Sequence, residues 1–268
     1  MVLFLWSVSA HGAQSPSVAP TDFPYALFPA KDIALSAMGV TLSVGGLIWS
    51  QSINDLSEHQ IDALNSSDVN AFDRSATRRW SSGAATASDV FVVTAALLPL
   101  IPVIHQFAVH RKKRATTLLL MYAEAFTISL GFTSVVKAFA KRNRPFLYND
   151  DLSLAKRASL PDPAISFFSA HTSLAFCGAT FLSTTFSAMA PNSRWRIVIW
   201  SASLSLASTI GVLRYVAGKH FPSDILTGAA FGALVGVFVP WLHRNPAQEV
   251  VVYPVGGRIN GIGASVRF

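Results

Sequence analysis

Six stretches of this chain are almost unbroken in apolar residues: Ile33–Ser50, Val90–Val109, Thr116–Val136, Thr172–Ala190, Ile197–Leu213 and Ile225–Leu242. Each runs about 18–22 residues, the length an α-helix needs to cross a ~30 Å hydrocarbon layer. Small residues recur inside them, as in SAMGVTLSVGG, SLSLASTIG and TGAAFGALVG, which suits helices packed closely in lipid. The tail VVVYPVGGRINGIGASVRF changes period, with alternating runs flanking Asn260-Gly261, a type I′ turn signal. The pattern predicts an all-α fold: a six-transmembrane-helix bundle over residues 24–245, with a short C-terminal β-hairpin tail over 246–268.

Residues 1–23 form a leader. MVLFLWSVSAHGAQS resembles the end of a signal peptide, with small-residue cleavage sites at Val8-Ser9-Ala10 or at Ala13, yet it lacks a positive n-region. A signal remnant and an uncleaved apolar leader both fit. Cleavage would place the mature N-terminus outside, and six further spans would then invert every loop. The stronger orientation signal is His110-Arg111-Lys112-Lys113-Arg114, four fixed positive charges with no acid. With Arg194, Arg196 and Arg244 it marks one set of loops as cytoplasmic. The Ser52–Asp89 loop and segments 137–170 and 214–224 then share the opposite, outer face. The expected location is integral to a bacterial inner membrane, with that face in the periplasm.

Composition agrees: 51% of residues are hydrophobic, 13% are charged and mean hydropathy is +0.42. The net charge of +7 comes without a compact basic domain or a base-stacking motif, so the partners expected are membrane lipids and anionic ligands, with no nucleic acid. The one cysteine, Cys177, can make no intramolecular disulfide and reads as a small buried hydrophobe.

The outer face carries the chemistry. In RYVAGKHFPSD, Arg214 closes one apolar run, and His220 and Asp224 stand at the start of the next, with Pro222 placed as an early helical residue. A neutral imidazole there could attack an electrophile while a carboxylate holds its other nitrogen; interfacial charges capping a helix would look the same. Lys137 and Arg144 are seven residues apart, so a helix continuing to Pro145 would set both on one face. Lys141 and Arg142 between them read as contacts to lipid headgroups. Ser169 and His171 open another apolar run, where helix N–H groups favour an anion and a histidine could protonate a leaving oxygen.

Taken together, Lys-x6-Arg-Pro, Ser-x-His and Arg-x5-His-x3-Asp resemble the three-part signature of the type 2 phosphatidic acid phosphatase family, which shares its core fold with vanadium haloperoxidases. The resemblance covers roughly Val90 to Leu242. It implies that Lys137, Arg144, Ser169, Ala170 and Arg214 bind phosphate, that His220 is the nucleophile forming a phosphohistidine, that Asp224 orients it, and that His171 is the general acid. It implies a phosphorylated lipid, phosphate or diphosphate, as substrate. Three cations can stabilise the spread charge of phosphoryl transfer, so no metal and no cofactor are expected at this site.

This chain departs from the family pattern in three places. Phe168 and Ala170 replace the usual Pro and Gly, and Leu213 stands where Ser is usual before Arg214. Ala tolerates a positive φ less well than Gly, so a slower phosphate turn is expected. A lipid phosphotransferase using the same site, a vanadium haloperoxidase and a non-catalytic membrane protein retaining the fold are the rival readings. Glu124, midway along an apolar run, is read as structural, bonded to a polar neighbour such as His105. Asp73, Arg74, Arg78, Arg79 and Trp80 are read as a solvated, partly helical loop, with a lid as the alternative.

Overall fold

The computed structural model describes residues 23–53, 56–245, 250–255 and 261–266. In chain order the helices are α1 (Pro29–Gln51), α2 (Glu58–Asp62), α3 (Ser82–Leu97), α4 (Leu100–Ala108), α5 (Lys112–Ala140), α6 (Leu154–Ala158), α7 (Ala170–Met189), α8 (Trp195–Val216) and α9 (Pro222–Leu242). Short 3-10 turns lie at Ser66–Asp68, Arg74–Arg78 and Pro145–Tyr148. Pro99, lacking an N–H, breaks the apolar run that begins at Val90 into α3 and α4.

Five of these segments are long and apolar enough to cross a membrane: Pro29–Gln51, Ser82–Ala108, Lys112–Tyr148, Trp195–Val216 and Pro222–Leu242. They make the chain an integral membrane protein. The sixth expected segment, Thr172–Ala190, forms the 20-residue helix α7, but its many Ser and Thr residues leave it less apolar than the other five. The reason lies in packing. α7 lies against α3, α5, α8 and α9, so its polar side chains meet protein rather than lipid. Ser173 hydrogen-bonds Ser129 of α5 at 2.9 Å, Ser183 bonds Ser203 of α8 at 2.9 Å, and Thr180 donates to the Ala233 carbonyl of α9 at 3.2 Å. α9 approaches α7 so closely that a Cβ on Gly232 would lie 2.0 Å from the Ser173 carbonyl oxygen. Only glycine fits there.

The bundle is apolar outward. Ile33, Phe139 and Ile197 are 70%, 79% and 75% exposed, while Ser88, Ser129, Thr133, Ser173 and Thr185 are fully buried. That inversion is what a lipid-facing surface requires.

Over one end of the bundle, residues 56–81 and 145–165 fold with small cores of their own. Ile61, Phe146 and Leu147 form one, and Val69, Ala76 and Phe221 another. In the stretch read as a solvated, partly helical loop, Arg74, Arg78 and Arg79 are exposed and a 3-10 turn spans Arg74–Arg78, whereas Asp73 is only 1% exposed.

A separate unit contains the tail. There β1 (Val250–Val255) and β2 (Gly261–Val266) pair antiparallel, with Val255 opposite Gly261. Gly261 is therefore a strand residue rather than half of a two-residue turn. Asn260, like the leader over residues 1–22, lies outside the described residues.

Candidate functional site

The candidates read from the sequence gather at the end of the bundle where α5, α8 and the folded loops meet the N-termini of α7 and α9. The helix of Lys137 does not continue to Pro145 as expected. α5 ends at Ala140, and Lys141 adopts a left-handed conformation, φ 43°. The chain turns back there, so Arg144 reaches the cluster from an extended residue ahead of a 3-10 turn. Its Nε donates to the Asp162 carbonyl at 2.7 Å, and its Nη1 donates to the Lys219 carbonyl at 3.3 Å, one residue from His220. Arg214, in the last turn of α8, donates through Nη1 to Ser88 and to Asp89, each at 3.2 Å, while its buried Nε has no partner.

Ser169 is the N-cap of α7. Its hydroxyl oxygen accepts from the Thr172 amide at 3.3 Å and from the Thr172 hydroxyl at 2.9 Å, and its own amide donates to the Asp224 carbonyl at 3.1 Å. Ala170 begins the helix with no positive φ, so the replacement of glycine introduces no backbone strain here. His171 follows, its Nε2 2.8 Å from Asp89 Oδ1. Asp89 thus touches both His171 and Arg214.

His220 lies between α8 and α9 and is 1% exposed. Gly218, φ 65°, makes the turn that delivers it, and Phe221 and Pro222 open α9. Burial, reinforced by the positive charge of Arg144, Lys137 and Arg214, holds its pKa well below the usual histidine value. It is therefore neutral at physiological pH, the form that carries a nucleophilic lone pair. Lys219 beside it falls to about 8, again through burial first and then Arg144 and Arg214.

Asp224 is fully buried, with Oδ2 3.5 Å from His220 Nδ1. That distance is too long for a hydrogen bond, and Nδ1 has no other partner. Strong contacts hold the carboxylate elsewhere: Arg142 Nη1 at 2.5 Å on Oδ1, and the Ser166 hydroxyl at 2.5 Å and the Phe221 amide at 2.9 Å on Oδ2.

Four polar residues at this end escaped the sequence reading. Arg142, taken for a headgroup contact, instead joins Asp224 to Asp73 at 2.8 Å and lies 4.1 Å from the centroid of the Phe221 ring. Asp73 also accepts from the Ser223 amide and hydroxyl, at 2.9 and 2.7 Å, pinning the 56–81 segment to the start of α9. Ser166 had no signal at all. Asp89 did: an acid at the head of an apolar run is costly enough to invite a functional reading. Glu124 lies nowhere near these groups, and its partners are Ser36 and His243 rather than His105.

Comparison with known proteins follows this geometry. Residues 115–247 match the family model of the PAP2 superfamily. A PA-phosphatase related-family protein of Dictyostelium discoideum is 32% identical over 128 residues, 46% of this chain and 47% of that one. The lipid A 1-phosphatase of Porphyromonas gingivalis is 38% identical over 79 residues, 30% of this chain and 16% of that one. The matched part spans about half or less of these relatives' length. Among solved structures, a transmembrane PAP2-type phosphatidylglycerolphosphate phosphatase from Bacillus subtilis aligns over 76% of this chain and 95% of its own, with 22% identity and a TM-score of 0.48. Through residues 115–247, the chain belongs to the PAP2 superfamily.

Proposed function

We propose that this protein is a membrane phosphatase hydrolysing a lipid phosphate or diphosphate through a phosphohistidine. The observation that carries the reading is His220, 1% exposed just ahead of α9, with Nδ1 3.5 Å from Asp224 Oδ2 and with Arg144 bonded to the carbonyl of the residue before it. Because Nδ1 faces Asp224, Nε2 is the attacking atom. It forms the N–P bond as the bond to the lipid oxygen breaks, and His171, paired with Asp89, gives that oxygen its proton. Water then attacks phosphorus, returns a proton to His171, and releases His220 and inorganic phosphate. Lys137, Arg144, Arg214, the Ser169 hydroxyl and the amides at the head of α7 hold the phosphoryl oxygens. No cofactor takes part.

A groove of about 420 Å³ beside the site supports a lipid substrate. Phe176, Gly211, Val212, Ile225, Leu226 and Ala229 line it together with Ser75, Ser208 and Tyr215, a largely apolar channel between α7, α8 and α9 suited to an acyl chain below the headgroup. In this reading α7 is the sixth span, and the site faces the periplasm of a bacterial inner membrane, away from Arg111–Arg114.

The test is phosphate release from a panel of phosphorylated lipids by purified protein, with and without vanadate. Wild type should release inorganic phosphate and be inhibited by vanadate, a mimic of the pentavalent transition state. His220→Ala should insert and fold normally yet lose at least about 10³-fold in rate. Turnover by that variant equal to wild type refutes the nucleophile. Label recovered in a second lipid rather than as free phosphate would make the enzyme a transferase.

A further inference from the structure

At the opposite end of the bundle three ligand-type side chains converge from three helices. Asp32 stands in the first turn of α1, Glu124 midway along α5 and His243 at the C-cap of α9. They are 5%, 1% and 0% exposed. On α5, Glu124 lies 13 residues from Lys137, about 20 Å along the axis, so this cluster is separate from the phosphate site.

One polar atom of each side chain is already engaged. The Phe28 amide donates to Asp32 Oδ2 at 2.6 Å, and the Ser36 hydroxyl donates to Glu124 Oε1 at 3.2 Å. His243 Nδ1 lies 2.8 Å from the Val239 carbonyl, an acceptor that orients the ring and turns Nε2 toward the two carboxylates. The three remaining atoms face one another. Asp32 Oδ1 is 3.0 Å and Glu124 Oε2 3.3 Å from His243 Nε2, and Glu124 Oε2 is buried with no hydrogen-bond partner. Two buried carboxylates facing one imidazole nitrogen call for positive charge among them, which a bound cation or a proton on the ring supplies. Lys31 donates its ammonium to the Leu242 carbonyl and, among the described residues, makes no ion pair with either carboxylate.

We propose that Asp32, Glu124 and His243 bind a divalent cation of the zinc class. The three donor atoms lie within 4.8 Å of one another, and the two shorter separations suit ligands placed about 2.0–2.1 Å from a common zinc-class ion. A histidine whose other nitrogen is tied to a carbonyl, and carboxylates whose second oxygens are held by donors, are what such sites use to orient their ligands. One nitrogen with two oxygens favours zinc, manganese or ferrous iron over calcium, which takes oxygen alone. The ion cross-links α1, α5 and α9 at the end remote from catalysis and does no chemistry on phosphate.

The experiment uses the full chain purified without a histidine tag, stripped with chelator, then titrated with zinc and separately with cobalt. One equivalent per chain should bind, cobalt should give d–d absorption bands, and zinc should raise the unfolding temperature. Glu124→Gln and His243→Gln, checked for monodispersity, should each weaken binding by about 10–100-fold. Wild-type protein that takes up less than one equivalent overturns the proposal, even where the variants fail to fold. So does equal binding by a well-folded variant. Neither result bears on phosphate release, which is measured separately.

Discussion

Arg142 Nη1 meets Asp224 Oδ1 at 2.5 Å, while the same guanidinium reaches Asp73 through Nη2 at 2.8 Å. A carboxylate buried beside His220 is therefore held by an arginine that itself anchors the folded 56–81 segment. The arrangement makes Arg142 a positioning residue.

Arg142→Ala leaves two buried carboxylates without their cation, which costs about 3 kcal/mol of stability and loosens Asp224. Turnover should fall by about 10²-fold, the loss expected when a reacting group is slightly misplaced, with KM little changed. Arg142→Lys keeps the charge but cannot bridge both acids with one planar fork, so it should recover only part of kcat. Steady-state kinetics with thermal unfolding in detergent checks both. A variant with unchanged kcat and lower stability would assign the bridge to folding alone.

Asp89 offers a different test, because it touches His171 at 2.8 Å and Arg214 at 3.2 Å. Asp89→Asn should lower kcat on lipid phosphates by about 10-fold or more, within the range that proton transfer supplies. An aryl phosphate, whose leaving group needs no proton, should be hurt much less. Equal losses on both substrates would place Asp89 in phosphate binding instead.

Gly218 holds φ 65°, and a Cβ there would lie 2.1 Å from the Arg79 carbonyl oxygen. Gly218→Ala therefore suffers about 1–2 kcal/mol from the backbone alone and a clash besides. The melting temperature should drop and activity with it, since the same turn carries His220. An unchanged melting temperature would show that the turn relaxes freely.

The pH dependence follows from His220. Its folded pKa lies well below 6.5 through burial and neighbouring cations, so the imidazole stays neutral as pH falls through 6.5. The acid limb of kcat/KM, measured in a pH series, should have its midpoint below 6.5, and a midpoint at or above 6.5 would assign it to another group. For stability the sign is the same. The unfolded chain takes up a proton near 6.5 that the folded chain refuses, so this contribution is present above 6.5 and lost toward acid, at about 1.4 kcal/mol per pH unit until the folded pKa is reached. His220→Gln should flatten that slope. A slope unchanged in the variant would mean that another group controls it.

How much of this was legible in the sequence differs from residue to residue. Helix α9 begins at Pro222 as its fixed φ predicts, and the five most apolar runs are helices, because length and hydropathy are local properties. α7 looked like a span by pattern alone; its Ser and Thr content made sense only once its neighbours were known. Lys137 and Arg144 were paired by an imagined helical stripe, whereas the chain reverses at Lys141. Arg142 read as a headgroup contact because an isolated surface arginine and one that bridges two distant acids look identical in one dimension.

The sequence by itself determined that this chain is helical and membrane-borne, and that Lys137, Arg144, His171, Arg214 and His220 fall near helix ends in the order of the PAP2 signature. Those features depend on residue type and on spacings of a few residues. The tertiary structure alone decided that Asp73 meets Arg142 across 69 residues and Asp32 meets His243 across 211. Such contacts are fixed by how helices pack, and burying a charge forces it to find a partner wherever in the chain that partner lies.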